Sequence, residues 1–183
     1  MKILITGGAG FIGSNLAYSL IKNGFEVIGI DNLSYGVYEQ IPKEVIFHKA
    51  DIRDKNIYDL FDDVECIFHL AAKNSILDCE NNPYETSDIN VNGTINIFDG
   101  AVKNNIKKVI YAESSAVYEG SSNLPSKESD VSPQSVYAKS KIAATWGCLT
   151  LGLMECRSDI ENLLLKSTWE PLRWTCAEVL REL

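Results

Sequence analysis

The sequence predicts an α/β fold built on a doubly wound, mostly parallel sheet. Three observations predict it. Short apolar runs recur at residues 2–6, 26–30, 45–49, 65–69 and 107–112, enriched in Ile and Val. Near-continuous hydrophobicity in short runs marks strands buried on both faces of a parallel sheet. Helical patterns alternate with these runs, which implies right-handed crossovers between neighbouring parallel strands. Finally, a glycine-rich turn joins the first strand to the first helix, the context that gives such a turn meaning.

The first element is Lys2-Ile3-Leu4-Ile5-Thr6, followed by Gly7-Gly8-Ala9-Gly10-Phe11-Ile12-Gly13. Glycine lets the chain turn tightly and lets backbone N–H groups approach a pyrophosphate with no Cβ in the way. The helix that follows would point its positive end at that anion. Phe11, Ile12, Leu16, Ala17, Leu20 and Ile21 recur at helical spacing, and Asn23-Gly24 closes the helix. The second strand, Glu26-Val27-Ile28-Gly29-Ile30, ends on Asp31, about 20 residues after the turn, where a dinucleotide site places an acid. A carboxylate there accepts hydrogen bonds from the adenosine ribose and repels a 2′-phosphate, so NAD is favoured over NADP. The bland alternative is a glycine turn that merely joins strand to helix, with Asp31 capping something local.

His48 and His69 fall in apolar strand-like runs, where packing explains them better than metal binding. A long helix is expected from Pro83 to about Asn104, with Ile89, Ile95, Phe98 and Val102 available to one face. Asn81-Asn82-Pro83 and the polar run from Gly120 to Pro133 read as loops. The fifth strand runs into Ala112-Glu113-Ser114-Ser115-Ala116-Val117-Tyr118. Hydroxyls at the carboxyl end of a parallel strand lie where open α/β sheets bind ligands. A helix cap or turn is the alternative for Ser114 and Ser115.

Tyr137-Ala138-Lys139-Ser140-Lys141 spaces a phenol and an ammonium one helical turn apart. An ammonium beside a phenol lowers its pKa from near 10, which suits the pair to proton transfer during hydride chemistry. Alone, such a pair is most often an ordinary stretch of helix surface.

Taken together, these segments resemble the extended short-chain dehydrogenase/reductase family, in its nucleotide-sugar epimerase/dehydratase branch. The matches are Thr6 to Gly13, Asp31-Asn32-Leu33-Ser34, Asp51-Ile52, His69-Leu70-Ala71-Ala72, Asn90-Val91-Asn92-Gly93-Thr94, Ser114 to Tyr118, and Tyr137 with Lys141. They occur in the family's order across residues 1–145. The resemblance implies that Gly7, Gly10 and Gly13, with Phe11 and Ile12, hold the pyrophosphate of NAD. It places Asp31 and Asn32 on the ribose, Asp51 and Ile52 on the adenine, and Leu70, Ala71 and Ala72 along the cofactor. It makes Tyr137 the acid/base, Lys141 its partner and a ligand of the nicotinamide ribose, and Ser114 the hydroxyl that binds the sugar's reacting oxygen. The family's dehydratases carry Thr-Asp-Glu where this chain has Ser114-Ser115-Ala116, so epimerisation of a UDP-hexose at C4 is favoured. A dehydratase or decarboxylase of the same family is the alternative, as is an NAD-binding fragment without turnover. Glu119 departs from the family's usual glycine.

Composition narrows the remaining choices. With 17 Lys and Arg against 25 Asp and Glu, the formal net charge is −8, which argues against a nucleic-acid or anionic-membrane surface. Residues 3–21 are uncharged, but interrupting glycines and polar residues argue against a secretory leader. Five cysteines without CxxC spacing fit reduced thiols of a cytoplasmic protein rather than a zinc site or disulfide frame. No metal ligand set is expected.

The last 38 residues differ in character. Up to residue 145 the chain has 18 Ile, 12 Lys, one Arg and no Trp; afterwards it has one Ile, one Lys, three Arg and three Trp. Residues 1–145 are therefore expected to form the NAD-binding domain with the catalytic pair. Residues 146–183 are expected to form an atypical helical tail, with the family's substrate domain missing. The helix bearing Tyr137 is expected to run on through Trp146, and the apolar tail to dock as helix in a homodimer.

Overall fold

The computed structural model describes residues 1–151. Five parallel strands form one sheet: β1 (Lys2–Thr6), β2 (Glu26–Asp31), β3 (Ile46–Lys49), β4 (Val64–His69) and β5 (Lys108–Tyr111), in the order β3-β2-β1-β4-β5. All five lie where the apolar runs predict them, to within one or two residues. The chain winds outward from β1 to β3, then returns to the other side of β1 for β4 and β5. This reversal between β1 and β4 is the topological switch point, outside whose carboxyl end such sheets bind ligands. Thr6 pairs with Ile30 on one side and His69 on the other, so the three central strands end level.

Side chains alternate across the sheet. Leu4, Ile28, Ile30 and Ile67 pack with Ile52, Phe61 and Ile97 on one face; Ile3, Ile5, Val27 and Phe68 pack with Leu16, Ala17 and Leu20 on the other. Each such side chain, fully buried, contributes about 1.5–3 kcal/mol.

Helix α1 (Phe11–Lys22) stops at Asn23-Gly24, where Gly24 adopts φ +84° and its N–H reaches Ile21 O at 2.9 Å. Its inner face is narrower than expected. Phe11 and Ile12 are 74% and 62% exposed, because the first turn stands proud of the sheet at the mouth of the glycine turn. Between β4 and β5 lie α2 (Ile76–Asn81), α3 (Pro83–Ser87), a widened π-type turn (Asp88–Gly93) and α4 (Thr94–Lys103). The stretch Asn81-Asn82-Pro83 is a one-residue junction between helices rather than a loop. Asn82 caps α3 by accepting from Glu85 N, and Pro83 takes the first helical position, where no N–H is needed. On α4 the buried stripe passes through Thr94, Ile97, Phe98 and Ala101, while Val102 is 54% exposed. The π-type turn widens the spiral over Asp88–Gly93, so one helical spacing does not carry across it.

Helix α5 (Val136–Thr150) packs beside α4 through Phe98, Tyr111, Ala144 and Cys148. It continues through Trp146 as expected. Cys66, Cys79 and Cys148 are buried free thiols. The tail beyond Leu151, including Cys156, Cys176 and any sixth strand or docked helix, lies outside the described residues.

Gly13 fixes how α1 meets the glycine turn. A Cβ there would stand 2.2 Å from Gly7 O and 2.9 Å from Gly7 C, closer than any carbon approaches backbone. Because nothing flexible can yield, Gly13→Ala is expected to destabilise the fold by at least about 2 kcal/mol, measured by urea unfolding.

Candidate functional site

The glycine turn is held from below. Gly7 N and Gly8 N both donate to Ile30 O, at 2.8 and 3.2 Å, and Gly10 N donates to Gly7 O at 3.0 Å. Gly7 takes φ +75°, and a Cβ there would lie 2.9 Å from Ala71 N. Backbone packing alone therefore requires glycine at Gly7 and Gly13. The result is a side-chain-free strip of backbone leading into the N-terminus of α1, the arrangement that binds a pyrophosphate.

A cleft of about 440 Å³ opens above this strip, at the carboxyl ends of β1, β2 and β4. Gly7, Gly10, Phe11, Asp31, Asn32, Asp51, Ile52, Leu70, Ala71 and Ala72 all line it, as the resemblance implies. Gly13 lies beneath the strip and serves packing. Asp31 does two jobs at once. Its Oδ2 accepts from Ala9 N at 3.1 Å and its Oδ1 from Leu33 N at 2.8 Å, so it braces the glycine turn and the loop after β2. Each carboxylate oxygen keeps a lone pair for a further donor. Asp51 is bound by Arg53, whose Nε and Nη2 donate at 2.8 Å, and by Asn32 Nδ2 at 3.0 Å. Arg53 holds the Asp51 carboxyl well below its usual range.

Other wall residues were not singled out in the sequence. Gly36 folds directly over Asp31, and a Cβ there would meet Asp31 Oδ1 at 2.9 Å. Lys73 lines the cleft while 93% buried and ion-paired to Glu85. Tyr35 OH donates to Asp78 at 3.1 Å beside them. A lone lysine just after Leu70-Ala71-Ala72 was the available signal for Lys73; for Gly36 nothing short of the folded loop gives one.

A buried polar network runs behind the cleft. Thr94 Oγ1 donates to Asn90 O at 2.7 Å, so it accepts from His69 Nε2 at 2.9 Å. That makes His69 Nδ1 an acceptor, and Thr6 Oγ1 donates to it at 2.6 Å while accepting from Ala71 N at 3.2 Å. His69 is thus a neutral packing residue, as its place in a strand suggests, and burial pushes its pKa down to about 3. Asn90, in the π-type turn, accepts from Lys73 N and donates to Lys73 O and Ser140 Oγ, at 2.8, 3.0 and 2.9 Å. Ser140 Oγ in turn donates to Tyr137 O at 2.7 Å.

Tyr137 and Lys141 share α5, one turn apart. Carboxylates clamp the start of this helix: Glu80 accepts from Val136 N at 2.7 Å, and Glu119 accepts from Gln134 N, Ser135 N and Ser135 Oγ at 2.8–3.1 Å. Glu119, the departure from the family's glycine, anchors the start of α5. Ser114 Oγ accepts from Ala116 N at 3.2 Å, and its side chain lies close enough to Tyr137 to favour the phenolate. Ser114, Tyr137 and Lys141 come together but do not line the 440 Å³ cleft. One expectation needs correction. Burial raises the Tyr137 pKa, and although the Ser114 side chain lowers it, the Glu113 carboxylate raises it further. The Lys141 ammonium is itself buried, its Nζ 4.0 Å from the centre of the Tyr111 ring, and burial draws its pKa down to about 8. Spacing on a helix brought the two residues to one site, but burial and Glu113 decide their charges.

Comparison with known proteins agrees with this geometry. Residues 3–155 match the NAD dependent epimerase/dehydratase family. A Methanocaldococcus jannaschii relative, provisionally named a UDP-glucose 4-epimerase, is 43% identical over 143 residues, covering 76% of this chain and 47% of its own. The UDP-glucose 4-epimerase of Thermotoga maritima, solved with UDP-glucose, superposes with TM-score 0.78 at 31% identity, covering 83% of this chain and 52% of that one. That of Thermus thermophilus, solved with NAD, superposes with TM-score 0.75 at 32% identity, covering 82% and 50%. The chain spans about half the length of these relatives. With its glycine turn, acid-tipped second strand and five-stranded parallel sheet, the chain belongs to the NAD dependent epimerase/dehydratase family.

Proposed function

We propose that this chain supplies the NAD-binding and acid–base half of a nucleotide-sugar epimerase acting on a UDP-hexose at C4. The observation that supports the reading is a cleft floored by bare glycine backbone in the same domain as Ser114, Tyr137 and Lys141, the last two one turn apart on α5. Gly7 and Gly10, with Phe11 at the start of α1, hold the pyrophosphate, while Gly13 packs the strip from beneath. Asp31 and Asn32 hold the adenosine ribose, Asp51 and Ile52 border the adenine, and Leu70, Ala71 and Ala72 follow the cofactor inward. NAD, when bound, supplies the reversible hydride acceptor. Tyr137 Oη takes the proton of the sugar's 4-hydroxyl as C4 is oxidised, and returns it when C4 is reduced on its other face. Ser114 Oγ hydrogen-bonds the same oxygen, and Lys141 favours the phenolate. The segment Ser114-Ser115-Ala116 lacks the acidic pair that elimination of water requires, which favours epimerisation over dehydration.

A second reading is that turnover needs more than these 183 residues, so that the chain alone binds NAD without catalysis. Its support is that the chain covers only about half of its relatives. The protein is further read as cytoplasmic, and as a homodimer through α4 and α5, where Val102 and Trp146 are 54% and 65% exposed.

Calorimetry of the purified chain is expected to show tighter binding of NAD than of NADP, since the Asp31 carboxylate repels a 2′-phosphate; the reverse order overturns the cofactor assignment. In a coupled assay on the chain extended by a family C-terminal domain, Tyr137→Phe is expected to lose on the order of 10²–10⁴ in kcat while NAD affinity stays unchanged. Turnover by the unextended chain would defeat the second reading. Light scattering is expected to return a dimer, and a monomer would remove the reading of α4 and α5 as an interface.

A further inference from the structure

Glu113 has no place in the roles above, yet it stands one residue before Ser114 and reaches the same interior as Lys141. Its carboxylate is fixed from two sides. Thr145 Oγ1 on α5 donates to Oε1 at 2.6 Å, and Ser114 N donates to Oε2 at 3.3 Å. Thr145 lies one turn after Lys141 on α5, and its hydroxyl also approaches Lys141 O at 3.4 Å. Glu113 is therefore locked to the helix that carries the acid–base pair.

Lys141 needs a counter-charge. It is 3% exposed, and a buried ammonium loses its proton unless an anion or an aromatic face compensates it. The Tyr111 ring, 4.0 Å from Nζ, supplies part of that compensation. Among the described residues, few charged or titratable groups face Lys141 from the elements packed against α5. From β4 there is His69, neutral; from β5, Tyr111; from the segment after β5, Glu113. Glu113 alone among them brings a negative charge, and it acts in the direction that keeps Lys141 protonated. Glu113 is in turn faced by Lys141, Tyr137 and Thr145 on α5, Tyr111 on β5, and Tyr118 on the turn beyond. Of these only Lys141 is a cation.

We propose that Glu113 is a positioning residue of the acid–base site, its carboxylate tethered by Thr145 and the Ser114 backbone as the counter-charge of the buried Lys141 ammonium. The word positioning rests on the role given to Tyr137 and Lys141 above; the charge pair itself does not. Glu113 works through Lys141. Its effect is double-edged. It keeps Lys141 charged, while its own charge disfavours a Tyr137 phenolate. Exchange to a neutral isostere thus removes a direct penalty on Tyr137 and at the same time lowers the Lys141 pKa.

The test is the titration of Lys141 by NMR of the 183-residue chain carrying ¹³C-lysine, its ε-methylene signal assigned by its loss in Lys141→Arg. The wild-type midpoint is expected near 8. In Glu113→Gln, which keeps the shape and one hydrogen-bond acceptor, removal of the anion should lower that midpoint by at least about one pH unit. Glu113→Asp should return it most of the way, and Thr145→Val, which frees the carboxylate without discharging it, should lower it by less. A midpoint in Glu113→Gln equal to or above the wild-type value overturns the proposal. Should that variant fail to fold by circular dichroism, an unmoved midpoint in Thr145→Val does the same. Calorimetry of NAD binding on the wild-type sample keeps the two claims apart: failure to bind NAD refutes the functional reading, whereas the lysine midpoint decides the charge pair.

Discussion

The buried polar network behind the cleft is the constraint on which the rest of the structure depends. It begins at Thr6, the last residue of β1, whose hydroxyl is held between Ala71 N and His69. It passes through His69 and Thr94 to Asn90, and from Asn90 to Lys73 and Ser140. Four separate elements are thereby locked in register: the first strand, the wall of the cleft, the π-type turn and the helix bearing Tyr137. Each link buries polar atoms, and a buried donor or acceptor left alone costs roughly 1–3 kcal/mol. The links therefore stand or fall together, which is how the cleft wall and α5 keep one geometry.

The π-type turn is the local irregularity this network requires. A regular helix from Pro83 to Lys103 would carry Asn90 along one uniform spiral. The widened turn lets the Asn90 side chain meet Lys73 and Ser140 while its carbonyl receives Thr94. Gly93 closes the same turn against Ile52, whose Cδ1 would stand 2.6 Å from an added Cβ. Irregular helix turns of this kind cluster at functional sites, and here the reason is visible in the partners it serves.

Electrostatics divides the site into two regimes. Around the cleft, donors surround the carboxylates: Asp31 accepts from two backbone N–H groups, and Asp51 accepts from Asn32 and from Arg53, which holds its pKa down. Around α5, burial dominates, raising Tyr137 and Glu113 and lowering Lys141. The first regime suits fixed recognition of hydroxyls. The second biases Tyr137 and Glu113 toward their neutral forms and makes Lys141 easier to deprotonate than a free lysine.

The amino-acid sequence by itself determined the strands, the glycine turn, the acid at the tip of β2 and the spacing of Tyr137 and Lys141. These are local properties: apolar runs, glycines whose Cβ would collide with backbone, and residues one helical turn apart. It also announced the end of α1 at Asn23-Gly24, since a left-handed glycine is a short-range signal. What only the tertiary structure decided was every property that depends on residues far apart in the chain. The neutral tautomer of His69 follows from Thr6 and Thr94, 63 and 25 residues away. Gly36 is glycine because it closes over Asp31, and Glu119 replaces a glycine because it caps a helix 16 residues later. The exposure of Phe11 and Ile12 reflects the shape of the cleft mouth, which their helical spacing does not encode. Most of all, spacing placed a cation one turn from Tyr137, but burial, the Tyr111 ring and Glu113 decided how strongly it is charged, because the protonation of a buried group is set by its surroundings in space and not by its neighbours in sequence.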